Sequence, residues 1–172
     1  MKNLTTAEIA RYQRHLILPQ VDTAGQEKLK NASVLIVGVG GLGSPVALYL
    51  TAAGVGGIGL MDDDVVSTSN LQRQVIHSEA TVGQLKVISA ADRLRQLNHF
   101  TKIETTAQRF TINNADIVQQ YDIIIDATDN FAARYAINTA CEKYEKPMVY
   151  GAVNHFEGQV SVFAPHLGGP CY

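Results

Sequence analysis

Tryptophan is absent from the 172-residue chain, and cysteine occurs only twice. Two cysteines cannot build a disulfide framework, which fits a reducing compartment and a cytoplasmic protein. Neither sign of charge dominates: 14 Lys and Arg stand against 16 Asp and Glu, a formal net charge of -2. A protein that grips nucleic acid through a broadly basic surface is therefore not expected. No apolar run reaches the ~18 residues of a membrane span. The start, Met1-Lys2-Asn3-Leu4-Thr5-Thr6, lacks the apolar core of a signal peptide, so no membrane partner is expected. No internal repeat, low-complexity tract or Pro/Gly/Ser linker divides the chain. A 46% hydrophobic and 17% charged composition excludes a disordered chain and suits one soluble domain.

The patterning gives an α/β order. Thr5 with Glu8 reads as a capping box that opens a helix running to about Arg14, and 23–31 reads as a second short helix. Residues 1–31 thus form an N-terminal helical arm, and 32–172 a Rossmann-like core. Ser33-Val34-Leu35-Ile36-Val37 is an apolar, β-branched run suited to a strand buried on both faces. Further strands are expected at 58–61, 103–107, 123–125, 147–150 and 159–163. Helices are expected at 44–53, 84–97, 115–120 and 131–144, and a long polar connection at 65–83. Strands alternating with helices imply a mostly parallel sheet with helices on both faces.

Gly38, Gly40 and Gly43 form G-x-G-x-x-G between the first strand and the next helix. In that setting backbone amides approach phosphate oxygens, and the helix N-terminus adds partial positive charge. Asp62 ends the second strand, about 19 residues past Gly43, where a carboxylate accepts from ribose hydroxyls. NAD is the plain reading of this pattern. A triphosphate carries roughly twice the charge of a pyrophosphate and calls for Arg, Lys and a metal ion. Arg73 and Lys86 supply those cations if the 65–83 connection folds back over the glycine loop. Asp129, just past a strand end, either holds Mg²⁺ against phosphates or N-caps the following helix. Asp126 reads as a structural acceptor. Asp63 and Asp64 are ambiguous between ligand-side carboxylates and a solvated turn.

No Ser/His/Asp arrangement is evident. The five histidines, His15, His77, His99, His155 and His166, show no metal-ligand spacing and read as surface or packing residues. Cys141 reads as a buried structural thiol. With no covalent nucleophile in the chain, the substrate would bring its own.

Arg11-Tyr12-Gln13-Arg14-His15, the loop VGVGGLGSPVALYLTAAGVG, the run DDDVVSTSNLQRQ, Gly83-Gln84-Leu85-Lys86, ATDNFAARYAIN and EGQVSVF resemble the ubiquitin-activating-like superfamily. The match is to its bacterial ThiF/MoeB/HesA sulfur-carrier adenylyltransferases, in order along nearly the whole chain. The MDDD turn is nearer the thiamine-pathway members than the molybdopterin-pathway ones. The resemblance implies an ATP-binding adenylation domain over 1–172. It would use ATP and Mg²⁺ to adenylate the terminal carboxylate of a small ubiquitin-fold carrier ending in Gly-Gly. It also implies roles for residues. Gly38, Gly40, Gly41, Asp62, Asp64, Asn70, Gln72, Arg73, Lys86, Asp129 and Asn130 would surround the nucleotide, with Asp129 on Mg²⁺. Arg14 would reach the ATP of the other subunit of a homodimer. Family members continue past Cys171 with further cysteines that complete a zinc site. Cys171 is then a remnant of such a site, and the chain reads as C-terminally truncated. Two other readings stand beside this one: a non-catalytic nucleotide-binding, dimerising fragment, and a NAD-dependent oxidoreductase.

Overall fold

Five residues, Ser33–Val37, form β1, and their side chains explain the layering of the molecule. Val34 and Ile36 point to one side and Leu35 and Val37 to the other, and all four are buried. A strand buried on both faces needs cover on both, and the chain supplies it. The computed structural model describes residues 3–172. After β1 come α4 (Gly43–Ala53), β2 (Gly57–Met61), α5 (Lys86–Leu97) and β3 (Lys102–Thr106). A 3₁₀ segment, Ile112–Gln120, leads to β4 (Ile123–Asp126), α6 (Phe131–Lys143), β5 (Met148–Asn154) and β6 (Glu157–Phe163). The sheet order is β3-β2-β1-β4-β5-β6. Every neighbouring pair is parallel except β5 with β6, a hairpin that closes the edge. Ala47 of α4 and Val87 and Leu94 of α5 cover the Val34–Ile36 side. Val118 of the 3₁₀ segment and Ile137 and Cys141 of α6 cover the other.

Strand order reverses between β1 and β4, so their carboxyl ends splay apart and leave a crevice. Two glycines make the β1–α4 turn possible. Gly38 has φ +93°, and a Cβ there would lie 2.7 Å from the Ala127 carbonyl oxygen. A Cβ on Gly43 would lie 1.9 Å from the Gly38 carbonyl oxygen. At these two positions the glycines serve close backbone approach.

The helical arm differs from expectation. The capping box of Thr5 and Glu8 is present, but the helix breaks at Tyr12 into α1 (Thr6–Arg11) and α2 (Gln13–Leu16). Tyr12 turns inward to 3% exposure, and its hydroxyl accepts from Asn98 Nδ2 at 2.8 Å. This tertiary bond outweighs the local helical pattern. α3 (Asp22–Asn31) then lays Lys30 against Glu8, Nζ to Oε2 at 2.6 Å, with Glu8 3% exposed. Three more boundaries shift. α5 begins at Lys86 rather than at 84. The helix expected at 115–120 is a longer 3₁₀ segment kinked at Asn114. β5 runs to Asn154, beyond the expected 150, because β6 pairs with it along its full length.

Two stability measurements check this packing. Burial raises the Glu8 pKa, but the hydrogen bonds from Lys30 and Thr5 and the Lys30 charge outweigh it, leaving the carboxyl below the ordinary carboxylate value. Its contribution is present above that ordinary value and lost as pH falls through the lower, folded one. Urea unfolding between pH 7 and pH 3 should therefore show a steeper acid loss for wild type than for Glu8→Gln. Gly43→Ala should cost about 3 kcal/mol by the same assay, because rigid backbone must move. Gly41→Ala, whose Cβ would meet only Arg73 Cγ and Cδ at 3.5 Å, should leave stability within about 1 kcal/mol of wild type.

Candidate active site

The crevice at the β1–β4 switch holds a cavity of about 590 Å³. Its floor is the glycine loop. Gly40 and Gly41 line it, and a Cβ on either would meet only side chains at ordinary contact distance, Gln74 Nε2 at 3.6 Å and Arg73 Cγ and Cδ at 3.5 Å. Unlike Gly38 and Gly43, they are not required by the packing of backbone on backbone. Without side chains they leave a ligand free access to the loop amides. The first turn of α4 follows with no side chain capping it. The Ser44 amide donates to the Gly40 carbonyl at 2.9 Å and Pro45 has no N–H, so an anion there meets the loop amides and the positive helix end rather than a full turn of free helix amides.

The loop is held in place by β2. Asp62 accepts from the Val39 amide at 2.7 Å through Oδ2 and from the Asp64 amide at 2.8 Å through Oδ1. Each oxygen keeps a lone pair for a further donor. The 65–83 connection folds back as the charge argument requires. It contains two 3₁₀ turns, Thr68–Asn70 and Glu79–Thr81, and a bridge from Val65 to Leu85. This places the Arg73 stem over Gly41 and Gln74 beside Gly40. Lys86, at the start of α5, is 6% exposed and lines the same cavity.

Charges around the cavity are largely paired. Lys86 Nζ meets Asp64 Oδ2 at 2.8 Å, and Arg109 Nε meets Asp63 Oδ2 at 3.3 Å. Arg73 reaches only the Ser69 carbonyl, at 3.4 Å. Asp129 is exposed on the cavity wall, and no cation pairs with it among the described residues. The helix-capping alternative for Asp129 does not hold. Asn130 caps α6 instead, its Oδ1 accepting from the Ala133 amide at 2.9 Å. Asn130 nonetheless lines the cavity. A free carboxylate at a phosphate-sized crevice is the donor chemistry Mg²⁺ takes, so the residues fit that ion.

Several expected residues lie elsewhere. Asn70 and Gln72 do not line the cavity, and Gln72 donates to the Ser69 carbonyl at 3.3 Å. Arg14 is exposed on α2 and takes no part in its own chain's cavity. Cys171 is exposed and belongs to no cluster of three metal-ligating side chains among the described residues. Cys141 is buried, and burial, with the Asp126 charge, pushes its thiol up to about 12, which makes it inert. Asp126 is a structural acceptor, taking the Thr128 amide at 2.9 Å and its hydroxyl at 2.6 Å. Burial keeps its carboxyl above the ordinary range despite those bonds and the nearby Arg134.

Other residues of the site are not visible in the sequence pattern. Arg109 arrives from the loop after β3. Arg134, from the first turn of α6, donates to the Thr128 carbonyl at 2.9 Å and the Tyr150 hydroxyl at 3.2 Å. Its guanidinium also lies 5.1 Å from the Tyr150 ring centroid. His77, read as surface or packing, is buried against the loop, with Nε2 3.2 Å from the Val39 carbonyl and Nδ1 2.9 Å from Ser89 Oγ. Burial and the Lys86 charge hold its pKa below the ordinary value, although the Val39 carbonyl and Asp62 oppose them.

The ThiF family model matches residues 12–172. The chain is 51% identical over 170 residues to the adenylyltransferase and sulfurtransferase MOCS3 of Culex quinquefasciatus, covering 98% of this chain and 39% of that protein. It is 49% identical over 173 residues to the sulfur carrier protein adenylyltransferase of Thermus thermophilus, covering 98% of this chain and 64% of that protein. The chain thus spans less than two thirds of either relative. The crystal structure of Escherichia coli tRNA N6-threonylcarbamoyladenosine dehydratase, TcdA, in complex with ATP superposes with a TM-score of 0.78 at 28% identity, covering 86% of this chain and 61% of that one. No helix among the described residues is long and apolar enough to cross a membrane. With its glycine loop, acidic strand end and Lys86 around one crevice, the chain belongs to the ThiF family.

Proposed function

We propose that the chain is the adenylation domain of an adenylyltransferase acting on a sulfur-carrier protein of the thiamine or molybdopterin pathway. One observation carries this reading: glycine-loop amides, Asp62, Arg73, Lys86 and Asp129 surround a single cavity. The two relatives are adenylyltransferases by name, which points to the same chemistry, and the superposed TcdA structure is a complex with ATP. Among the described residues no activated nucleophile lines the cavity, which suits a reaction in which the substrate supplies it.

In this reading the adenosine ribose hydroxyls donate to Asp62, and the phosphates lie over Gly40 and Gly41 at the start of α4. Lys86 leaves Asp64 for a phosphate, and Arg73 turns from the Ser69 carbonyl to another. Asn70 and Gln72 approach the nucleotide when the 68–74 segment closes. Asp129 would hold Mg²⁺, which supplies neutralisation of phosphate charge. The carrier ends in Gly-Gly, and its terminal carboxylate oxygen attacks the α-phosphorus. A new O–P bond forms, the bond to the bridging oxygen breaks, and pyrophosphate leaves with that electron pair. The carrier is left as an acyl adenylate. The enzyme's part is alignment and charge stabilisation. Arg14 completes the site from the other subunit of a homodimer.

ATP–pyrophosphate exchange with a purified Gly-Gly-ending carrier tests this. Wild type should exchange label at saturating ATP. Lys86→Ala and Asp129→Asn should each lower the rate roughly 100-fold, the usual scale for a charge aimed at a developing negative centre. Folded wild-type protein that binds ATP but shows no exchange would instead identify a non-catalytic nucleotide-binding domain.

A further inference from the structure

The Val39–Gly40 peptide is gripped at its carbonyl by a residue to which the proposed chemistry assigns no role. His77 follows the turn after Arg73 and is 8% exposed. Its Nε2 lies 3.2 Å from the Val39 carbonyl oxygen, and its Nδ1 lies 2.9 Å from Ser89 Oγ. A carbonyl oxygen can only accept, so Nε2 carries the proton and donates to it. In the neutral ring Nδ1 then accepts, and the Ser89 hydroxyl donates. Ser89 sits one turn along α5 from Lys86, is 3% exposed, and is held by the core packing of that helix. His77 thus ties the glycine loop to the helix that bears Lys86.

The tie fixes a direction. A trans peptide is planar, with its C=O and the following N–H pointing opposite ways. Holding the Val39 carbonyl on His77 therefore turns the Gly40 N–H away from His77. On the other side of the same residue, the Val39 N–H is held by Asp62 at 2.7 Å. Both peptides flanking Val39 are pinned, although glycines on either side would otherwise let them rotate freely. Gly40 itself lines the cavity.

We propose that His77 is a positioning residue: as the neutral Nε2–H tautomer, it locks the Val39–Gly40 peptide so that the Gly40 amide is presented to a nucleotide phosphate. The proposal rests on the ATP-binding reading above and adds a residue to it. His77 touches neither nucleotide nor carrier; it acts through the loop. Removing the donor leaves the chain folded around the same cavity but lets the peptide turn, so the loop offers a carbonyl to phosphate for part of the time. That weakens the hold on ATP and leaves the carrier's own docking alone.

Three measurements test this on the full chain. Nitrogen-15 spectra of the imidazole in the nucleotide-free protein should show a neutral Nε2–H ring for His77; an Nδ1–H tautomer would overturn the proposal without reference to activity. Equilibrium ATP binding should weaken roughly three- to tenfold in His77→Ala, on the scale of one lost hydrogen bond. His77→Gln, whose side-chain amide restores a donor, should recover most of that loss. In the exchange assay the KM for ATP should rise with the KM for carrier unchanged. If His77→Ala unfolds, Ser89→Ala, which removes only the support on Nδ1, should give a smaller ATP weakening in the same direction. Folded variants that bind ATP as wild type does would overturn the proposal. Failure of wild type itself to bind ATP would instead overturn the functional reading.

Discussion

The bond from the Val39 amide to the Asp62 carboxylate joins the ends of β1 and β2 at one wall of the crevice. Everything that follows in the site depends on it. It brings an acidic side chain beside a loop whose other neighbours are helix amides, so opposite electrostatic characters meet within one peptide's length. One wall is suited to hydroxyl donors and the floor to phosphate oxygens. A nucleotide has both, in that order along its length. The sheet makes this pairing possible because β1 and β2 are parallel and in register from Ser33 with Gly57 to Val37 with Met61, so both strands end together at the same edge.

Charge balance is the second constraint. Lys86 is buried and would be costly to bury unpaired, and Asp64 holds it. Arg109 and Asp63 stand in the same relation nearer solvent. Two of the cavity's cations are thus neutralised by carboxylates of the same chain. A triphosphate bound there must exchange partners with carboxylates that are already in place. Asp129 has no such partner among the described residues, and Asn130 rather than Asp129 takes the helix cap.

Much of this was legible in the sequence because local patterns carried it. The buried strand, the glycine spacing and Asp62 at the next strand end lie within thirty residues of one another, and each has a short-range physical reason. The convergence of Arg73 and Lys86 was legible only as a condition, that the 65–83 connection fold back, and the structure meets it. What the sequence could not reveal arrives through long-range contacts. Arg109 and Arg134 come from segments after β3 and β4, and only the reversal of strand order brings them to one crevice. His77 lacks any spacing to a partner, since Val39 and Ser89 lie 38 and 12 residues away. The break at Tyr12 has the same origin: its hydroxyl meets Asn98, 86 residues on. The choice between Asp129 and Asn130 as helix cap was a one-residue ambiguity that local pattern could not resolve.

The proposed function requires a crevice built for the phosphates of ATP rather than for a dinucleotide. Equilibrium titration of the chain with ATP and with NADH, repeated on Arg73→Ala and Lys86→Ala, tests it most directly. ATP should bind more tightly than NADH, and each substitution should weaken ATP by about 1.5–3 kcal/mol, the worth of one charge-assisted contact. NADH binding as tight as that of ATP, and unaffected by either substitution, would contradict the account.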